Sequence, residues 1–316
     1  MRKSWNHIHP NLFPWMREEL DPLTEKLERL IHILDDLDIE TVVRTPLRGA
    51  GRTPEDRAAI ARAFVAKAVL GLTTTRGLLE RLHTDRRLRR ICGWERRAQI
   101  PSESTFSRAF DEFAADRATE RLHADLVQRG LGDHIVGHVA RDATEIEARE
   151  RPPKDPPDDP GAPPPAPPRR RGRPRKGETP PPKPKTRLER QLTQSVATML
   201  AELPTHCAVG TKRNSKGVKE TWIGYKLHLD VADSLVPVSA IVTAASLHDS
   251  QAAIPLARIT GQRITHLYDL MDAAYDAAAI AVDSRNAGRV PLIDRNPRRS
   301  ARSKAERAAE RDRRDH

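Results

Sequence analysis

The sequence predicts a mixed α and β protein: an N-terminal bundle of helices, then a mixed sheet covered by helices, with a proline-rich insert cutting into the second part. Three observations predict it. Apolar residues recur at helical spacing through residues 57–130, and apolar and polar residues alternate around 135–142 and 224–246. Between those two strand regions, residues 151–190 hold fifteen of the 26 prolines and almost no large apolar side chain. A chain of 316 residues is long enough for about two domains of roughly 150 residues each.

In order along the chain, EDRAAIARAFVAKAVLGL places Ile60, Phe64 and Ala68 at i, i+4 and i+8, one apolar stripe on a helix. TTTRGLLERLHTDRRLRRICGW repeats the pattern with Leu78, Leu79 and Leu82. In IPSESTFSRAFDEF and the residues after it, Ser102 or Ser104 can cap a helix. Its Phe106, Phe110 and Phe113 share a face, and Gly130 and Gly132 end it. HIVGHVARDATEIEA then alternates, with Ile135, Gly137 and Val139 on one side and Val136, His138 and Ala140 on the other, a strand over 135–142.

Proline lacks the donor that helices and central strands need, so residues 151–190 read as an extended, disordered tether on the surface. After it, GYKLHLDVAD (224–233) and LVPVSAIVTAAS (235–246) form a hairpin about Asp233-Ser234, and 249–261 is a helix. A strand follows in 266–276, ending near Asp272, and another in 289–296. The expected domains are a helical unit over 1–130, a first strand over 131–150, the insert over 151–190, and the rest of the sheet domain over 191–316. A strand as short as 135–142 cannot fold alone, so the two parts of the sheet rejoin across the insert.

Composition narrows the function. Lys and Arg number 55 against 44 Asp and Glu, a formal net charge of +11, and such an excess points to a polyanionic partner. Cys92 and Cys207 lie far apart without a CxxC or a histidine pair at zinc spacing, which excludes a disulfide framework and a zinc finger and fits a reducing cytoplasm. No run approaches the length of a membrane span and the N-terminus lacks the apolar core of a signal peptide. A cytoplasmic protein without membrane contact is expected.

Two carboxylates stand at strand ends: Asp142 in ARDATEIEA and Asp272 in LYDLMDAAYD. Carboxyl ends of strands are where sites form in open α/β sheets, and two such groups side by side make a hard-oxygen site suited to Mg²⁺ or Mn²⁺. A metal pair there would activate water and stabilise the leaving oxygen of a phosphodiester. An aspartate that merely caps a loop reads the same way from spacing alone.

The motifs TTTRGLLERL (73–82), ICGW (91–94), IPSESTFSRAFDEF (100–113), ARDATEIEARE, GYKLHLDVAD, TAASLHDSQ and MDAAYDA, in that order, resemble those of the DDE transposases of bacterial insertion sequences. The resemblance covers most of residues 50–300. It implies a helical DNA-binding N-terminal domain and a ribonuclease H-like α/β/α catalytic domain. It further implies Asp142 and Asp272 as catalytic ligands of a two-metal Mg²⁺ or Mn²⁺ site, and DNA, both element ends and target, as substrate. A homo-oligomer on DNA is implied as well.

The family's third carboxylate, a glutamate in a Tyr-x2-Arg-x3-Glu-x6-Lys pattern, is not found: there is no tyrosine after Tyr275, and Glu306 with Arg302 and Arg313 imitates only part of the pattern. The expectation is therefore a transposase truncated before its last ligand and weak in strand cutting, or a catalytically inactive DNA-binding fragment that regulates transposition.

Other features divide between function and plain structure. Arg171 and Arg173 in RRRGRPRK match the core of an AT-hook, or else a solvated basic linker. Thr105, Ser107 and Arg108 offer a recognition face to DNA, or else the wet side of a bundle helix. DRRLRR (85–90) reads as a phosphate-contacting patch, or else a wet helix end; Asp249 as the N-cap of the following helix, or one of a His248-Asp249-Ser250 trio near the site; Glu145 and Glu147 as solvent-facing rather than auxiliary; and Trp94 and Trp222 as core anchors rather than base-stacking platforms.

Overall fold

The structure is a computed structural model that describes residues 23–45, 54–155, 157, 159, 184–213 and 218–295. The chain divides into two compact units, Met1–Leu126 and Val127–His316. In the first lie α1 (Glu25–Leu37), α2 (Ile39–Val42), α3 (Arg57–Val69), α4 (Thr75–Thr84), α5 (Arg86–Cys92) and α6 (Glu103–Ala115). α7 (Ala118–Leu131) leads into the second unit. Leu30, Ile60, Leu78, Leu82, Leu88 and Phe106 are fully buried in one core. Phe64 meets Phe106, Phe110 and Phe113 with ring centroids 5.6, 5.5 and 6.4 Å away, so the phenylalanine stripe packs as its spacing requires, with Phe110 at its exposed edge.

The helix expected to run from Ser104 to Gly130 is two, because Arg117 adopts a left-handed φ of 50° between α6 and α7. In DRRLRR, Asp85 caps α5 through the N–H groups of Arg87 and Leu88, and Arg89 is buried and donates to the Leu82 carbonyl at 2.9 Å. Arg90 pairs with Glu95 at 3.0 Å. Asp85, Leu88 and Arg89 thus support the α4–α5 corner, while Arg86 is exposed and Arg87 and Arg90 are half-buried.

The second unit holds β1 (Ile135–Glu147), α8 (Arg187–Gln191), α9 (Val196–Ala201), β2 (Ala208–Arg213), β3 (Lys219–Ala232) and β4 (Pro237–Ala244). It continues with α10 (Ser250–Arg263), β5 (Thr265–Met271), α11 (Ala278–Asn286) and β6 (Val290–Ile293). The six-stranded sheet is mixed, in the order β2-β3-β1-β5-β6 with β4 also on β3. β1 is antiparallel to β3 and parallel to β5, and β6 is parallel to β5. The two parts of the sheet do rejoin across the insert. This mixed sheet behind a helical unit matches the expected class, with a ribonuclease H-like order of elements.

β1 runs to Glu147 rather than 142, since β3 continues to pair with it as far as Gly224. β2, which alternation did not reveal, extends β3 on its other edge, where β4 takes over at Tyr225. Gly224, at φ 150°, sits at that handover, and a Cβ there would lie 2.0 Å from the Ile146 carbonyl oxygen. The hairpin turn is tied to β1: Asp233 donates its N–H to the His138 carbonyl and its carboxylate accepts from the Gly137 N–H at 2.8 Å.

Pro255 lies inside α10 and cannot donate to the carbonyl of Gln251, four residues before it. The buried Gln191 of α8 fills that gap by donating its side-chain amide to the Gln251 carbonyl at 2.9 Å. Arg258 of α10 donates to the Gln194 and Leu192 carbonyls at 2.8 and 3.0 Å, so the segment that follows the insert is clamped onto α10 by backbone acceptors.

Candidate active site at the strand ends

Strand alternation sets the site. Along β1, Val139 and Arg141 point into the layer between sheet and helices, and Ala140 and Asp142 point out. In β5, Asp269 and Met271 are buried while Asp272, just beyond the strand, is exposed. Because β1 and β5 are parallel with Arg141 opposite Met271, the chain places Asp142 and Asp272 next to one another where β5 ends; Asp142 is not at a strand end as expected, since β1 continues to Glu147 alongside β3. Asp294 continues the row after β6, its N–H bonded to the Met271 carbonyl at 3.1 Å.

Each aspartate is oriented locally. Asp142 accepts from the Ala143 N–H at 2.7 Å, and Asp272 caps a 3-10 turn (Ala273–Tyr275) by accepting from the Ala274 N–H at 2.9 Å. Partial burial pushes the Asp272 carboxyl above the usual range; the Ala274 bond opposes this, and the charges of Asp142, Asp249 and Asp294 add to it. A cation bound beside Asp272 would favour its charged form against that burial, and hard carboxylate oxygens are the ligands a divalent ion takes. Asp142 and Asp272 fit that role; among the described residues no group of three His, Cys, Asp or Glu side chains is arranged to hold a metal.

Behind the site lies a buried ion network. Arg141 donates from Nε and Nη2 to the two oxygens of Asp230 at 2.8 Å each, approaches Asp269 at 3.6 Å, and contacts Met271 Sδ at 3.3 Å. Thr260 donates to Asp230 at 2.6 Å. Burial pushes the guanidinium toward neutrality, but Asp230 and Asp269 outweigh it, so it stays charged. Asp269 lies well below the usual carboxylate range: burial raises it, and His266, Arg141 and Arg289 together overcome that.

Beside Asp142 opens a cleft of about 820 Å³ lined by Thr144, Lys212, Lys219, Trp222, Lys226 and Asp249, among others. Lys226 spans from the Leu247 carbonyl to Asp249 at 2.8 Å each. Asp249 is thus not the side-chain N-cap expected of it: it makes no cap bond, because the ammonium takes its carboxylate. His248 binds Ser250 at 2.8 Å across it. Glu145 pairs with Lys212 at 2.5 Å. Trp222 and Trp94 are core anchors, both buried, with the Trp222 ring lying over Gly210.

The family model described as a Transposase DDE domain matches residues 138–316, over half of the chain and including both aspartates. The chain belongs to the DDE transposase family. A second model, described as a Transposase domain (DUF772), matches residues 16–112, so both parts of this transposase are accounted for in the expected order. No curated protein and no solved structure matches. Transposases of this family act on DNA and generally use divalent metal ions. No helix among the described residues is long and apolar enough to cross a membrane.

Of the other residues singled out by sequence, Ser107 and Arg108 are exposed on α6 and Thr105 is half-buried, accepting weakly from Arg108 at 3.4 Å. Arg171 and Arg173 lie outside the described residues, as do Arg302, Glu306 and Arg313. Sequence reasoning missed Arg141, Asp230, Lys226 and Asp294. Asp230 carried a signal, a lone acid on the inward register of an apolar strand.

Proposed function

We propose that this transposase binds the terminal inverted repeats of its element and carries out DNA cleavage and strand transfer at Asp142 and Asp272, with Mg²⁺ or Mn²⁺ in a two-metal site. The adjacency of these two carboxylates on parallel β1 and just past the end of β5 carries the reading. A divalent ion there would be held by Asp142 and Asp272 and would supply Lewis-acid stabilisation of phosphoryl charge. The chain's own residues do the rest: Asp142 and Asp272 hold the charge in place, and Lys212, Lys219 and Lys226 line the adjoining cleft where the phosphates of one strand would lie. Thr105, Ser107 and Arg108 on α6 would read the repeat, and Arg171 and Arg173 would enter an A·T minor groove. The protein would act as a homo-oligomer on DNA.

A second reading rests on a specific observation, that no third ligand accompanies the two aspartates among the described residues. Two ligands hold two divalent ions poorly, and a loosely placed metal loses the preorganisation that phosphoryl chemistry needs. The product would then occupy element ends and regulate transposition without cutting.

The test is a nicking and strand-transfer assay on DNA carrying the element's ends, with Mg²⁺ or Mn²⁺, for wild type, Asp142→Ala and Asp272→Ala. Cleavage abolished by either substitution supports the first reading. End-specific binding with no cleavage supports the second. Binding without preference for the ends overturns both.

A further inference from the structure

The Tyr275 hydroxyl is buried and has no hydrogen-bond partner, in a residue only 1% exposed. Buried phenols nearly always find a partner, and an unmade bond of this kind costs about 1–3 kcal/mol. The ring itself is well used: Met199, Ala253, Ile254, Met271 and Ile280 surround it. Phenylalanine would fill the same space without the penalty, so packing explains the ring and leaves the oxygen unexplained.

Its place in the fold supplies an explanation. Tyr275 closes the 3-10 turn that Asp272 caps, and its N–H bonds to the Asp272 carbonyl at 3.1 Å. Met271, one wall of its pocket, is the residue Arg141 touches, and Ala253 and Ile254 belong to the start of α10, just after Asp249. The turn therefore joins Tyr275 directly to Asp272, and its side chain feels the charges of Asp249, Arg141, Asp142 and Asp272. Burial first, and then the three carboxylates, push its pKa up against the opposing pull of Arg141, so it remains a donor at every working pH.

We propose that Tyr275 is a positioning residue of the acidic site, its O–H held ready to bond an aspartate carboxylate once the outward oxygens of Asp142 and Asp272 turn to a divalent cation. This rests on the reading of those aspartates as metal ligands. Hydrogen bonds to ligating carboxylates fix their orientation, and their loss typically weakens metal binding about 10–100-fold. A hydroxyl kept for this purpose is a burden to the empty protein and a gain to the loaded one.

The experiment uses the full chain with Mn²⁺ as the probe: titration followed by the electron paramagnetic resonance signal of free Mn²⁺, and thermal melts in EDTA, for wild type, Tyr275→Phe and Asp142→Ala. The expected result is Tyr275→Phe melting at or above wild type while its Mn²⁺ dissociation constant rises about tenfold or more. Unchanged Mn²⁺ binding by Tyr275→Phe, with binding lost in Asp142→Ala, overturns the proposal and leaves the metal-site reading standing. A melt of Tyr275→Phe well below wild type also overturns it, since the hydroxyl would then be structural. Wild-type binding by Asp142→Ala removes the metal-site reading itself, and the proposal with it.

Discussion

Replacing Arg141 with Met should be among the most destabilising substitutions in the second unit. The guanidinium is 1% exposed and the Asp230 carboxylate 0% exposed, joined by two bonds of 2.8 Å. Removing one partner of a buried pair strands the other charge, at about 3–5 kcal/mol. For a unit of this size that is a loss of roughly 6–20 °C in melting temperature. Asp230→Asn alone should also destabilise, because Arg141 loses the opposing charge and one of its two acceptors, with only the longer contact to Asp269 left as an ion pair. The double variant should recover to within about 1 kcal/mol of wild type, since a buried pair often contributes little net stability against a neutral replacement of similar volume. In that variant the amide oxygen introduced by Asp230→Asn can still accept from Thr260, and Asp269 keeps His266 at 3.0 Å and Arg289 at 3.4 Å. Urea and thermal melts of the four proteins form a double-mutant cycle. Additive losses, or an Arg141→Met cost below about 1 kcal/mol, would refute the argument that pairing rather than side-chain volume holds this layer.

Asp272 has a raised pKa in the folded state, so the stability tied to its neutral form is present below the unfolded value and is lost as pH rises through the folded one. Asp272→Asn should melt about 1–2 °C higher than wild type at pH 7 in EDTA, a small gain because the group is solvent-screened, with the advantage gone near pH 3; differential scanning fluorimetry across pH decides it. Gln191→Leu should cost about 1–3 kcal/mol by orphaning the Gln251 carbonyl, and Pro255→Ala should rescue that variant by restoring the helical donor, both read by urea denaturation. Gly224→Ala should destabilise the second unit by several kcal/mol or prevent its folding, because the added methyl meets backbone rather than a yielding side chain, as circular dichroism melts would show.

Much of this was legible because it rests on local rules. Phe106, Phe110 and Phe113 declared a helix face, and Asp142 and Asp272 declared themselves by position at the ends of apolar runs. Their adjacency was not legible, since it depends on β1 and β5 pairing in parallel with 117 residues between Glu147 and Thr265. β2 escaped because its buried positions hold the small Ala208 and Gly210 while the apolar Val209 faces outward, so its alternation carries no hydropathy contrast. The role of Asp249 was hidden for a different reason: an acid before a helix signals a cap until a lysine from another strand competes for it. Arg141 looked like one more member of an arginine-rich chain, and only the inward register of β1 distinguishes it.

The separation of β1 from its partners also bears on how the protein is made. β3 begins 72 residues after β1 ends, so at about 5–20 residues per second the ribosome leaves this strand without its neighbour for roughly 4–14 s. A nascent strand is most at risk from a rival strand close behind it. Most of the stretch that emerges during that wait, residues 151–190, is rich in proline and charge, a composition unable to supply one, and β2 follows only at Ala208. The insert thereby keeps β1, with Asp142 upon it, for the partner that arrives late.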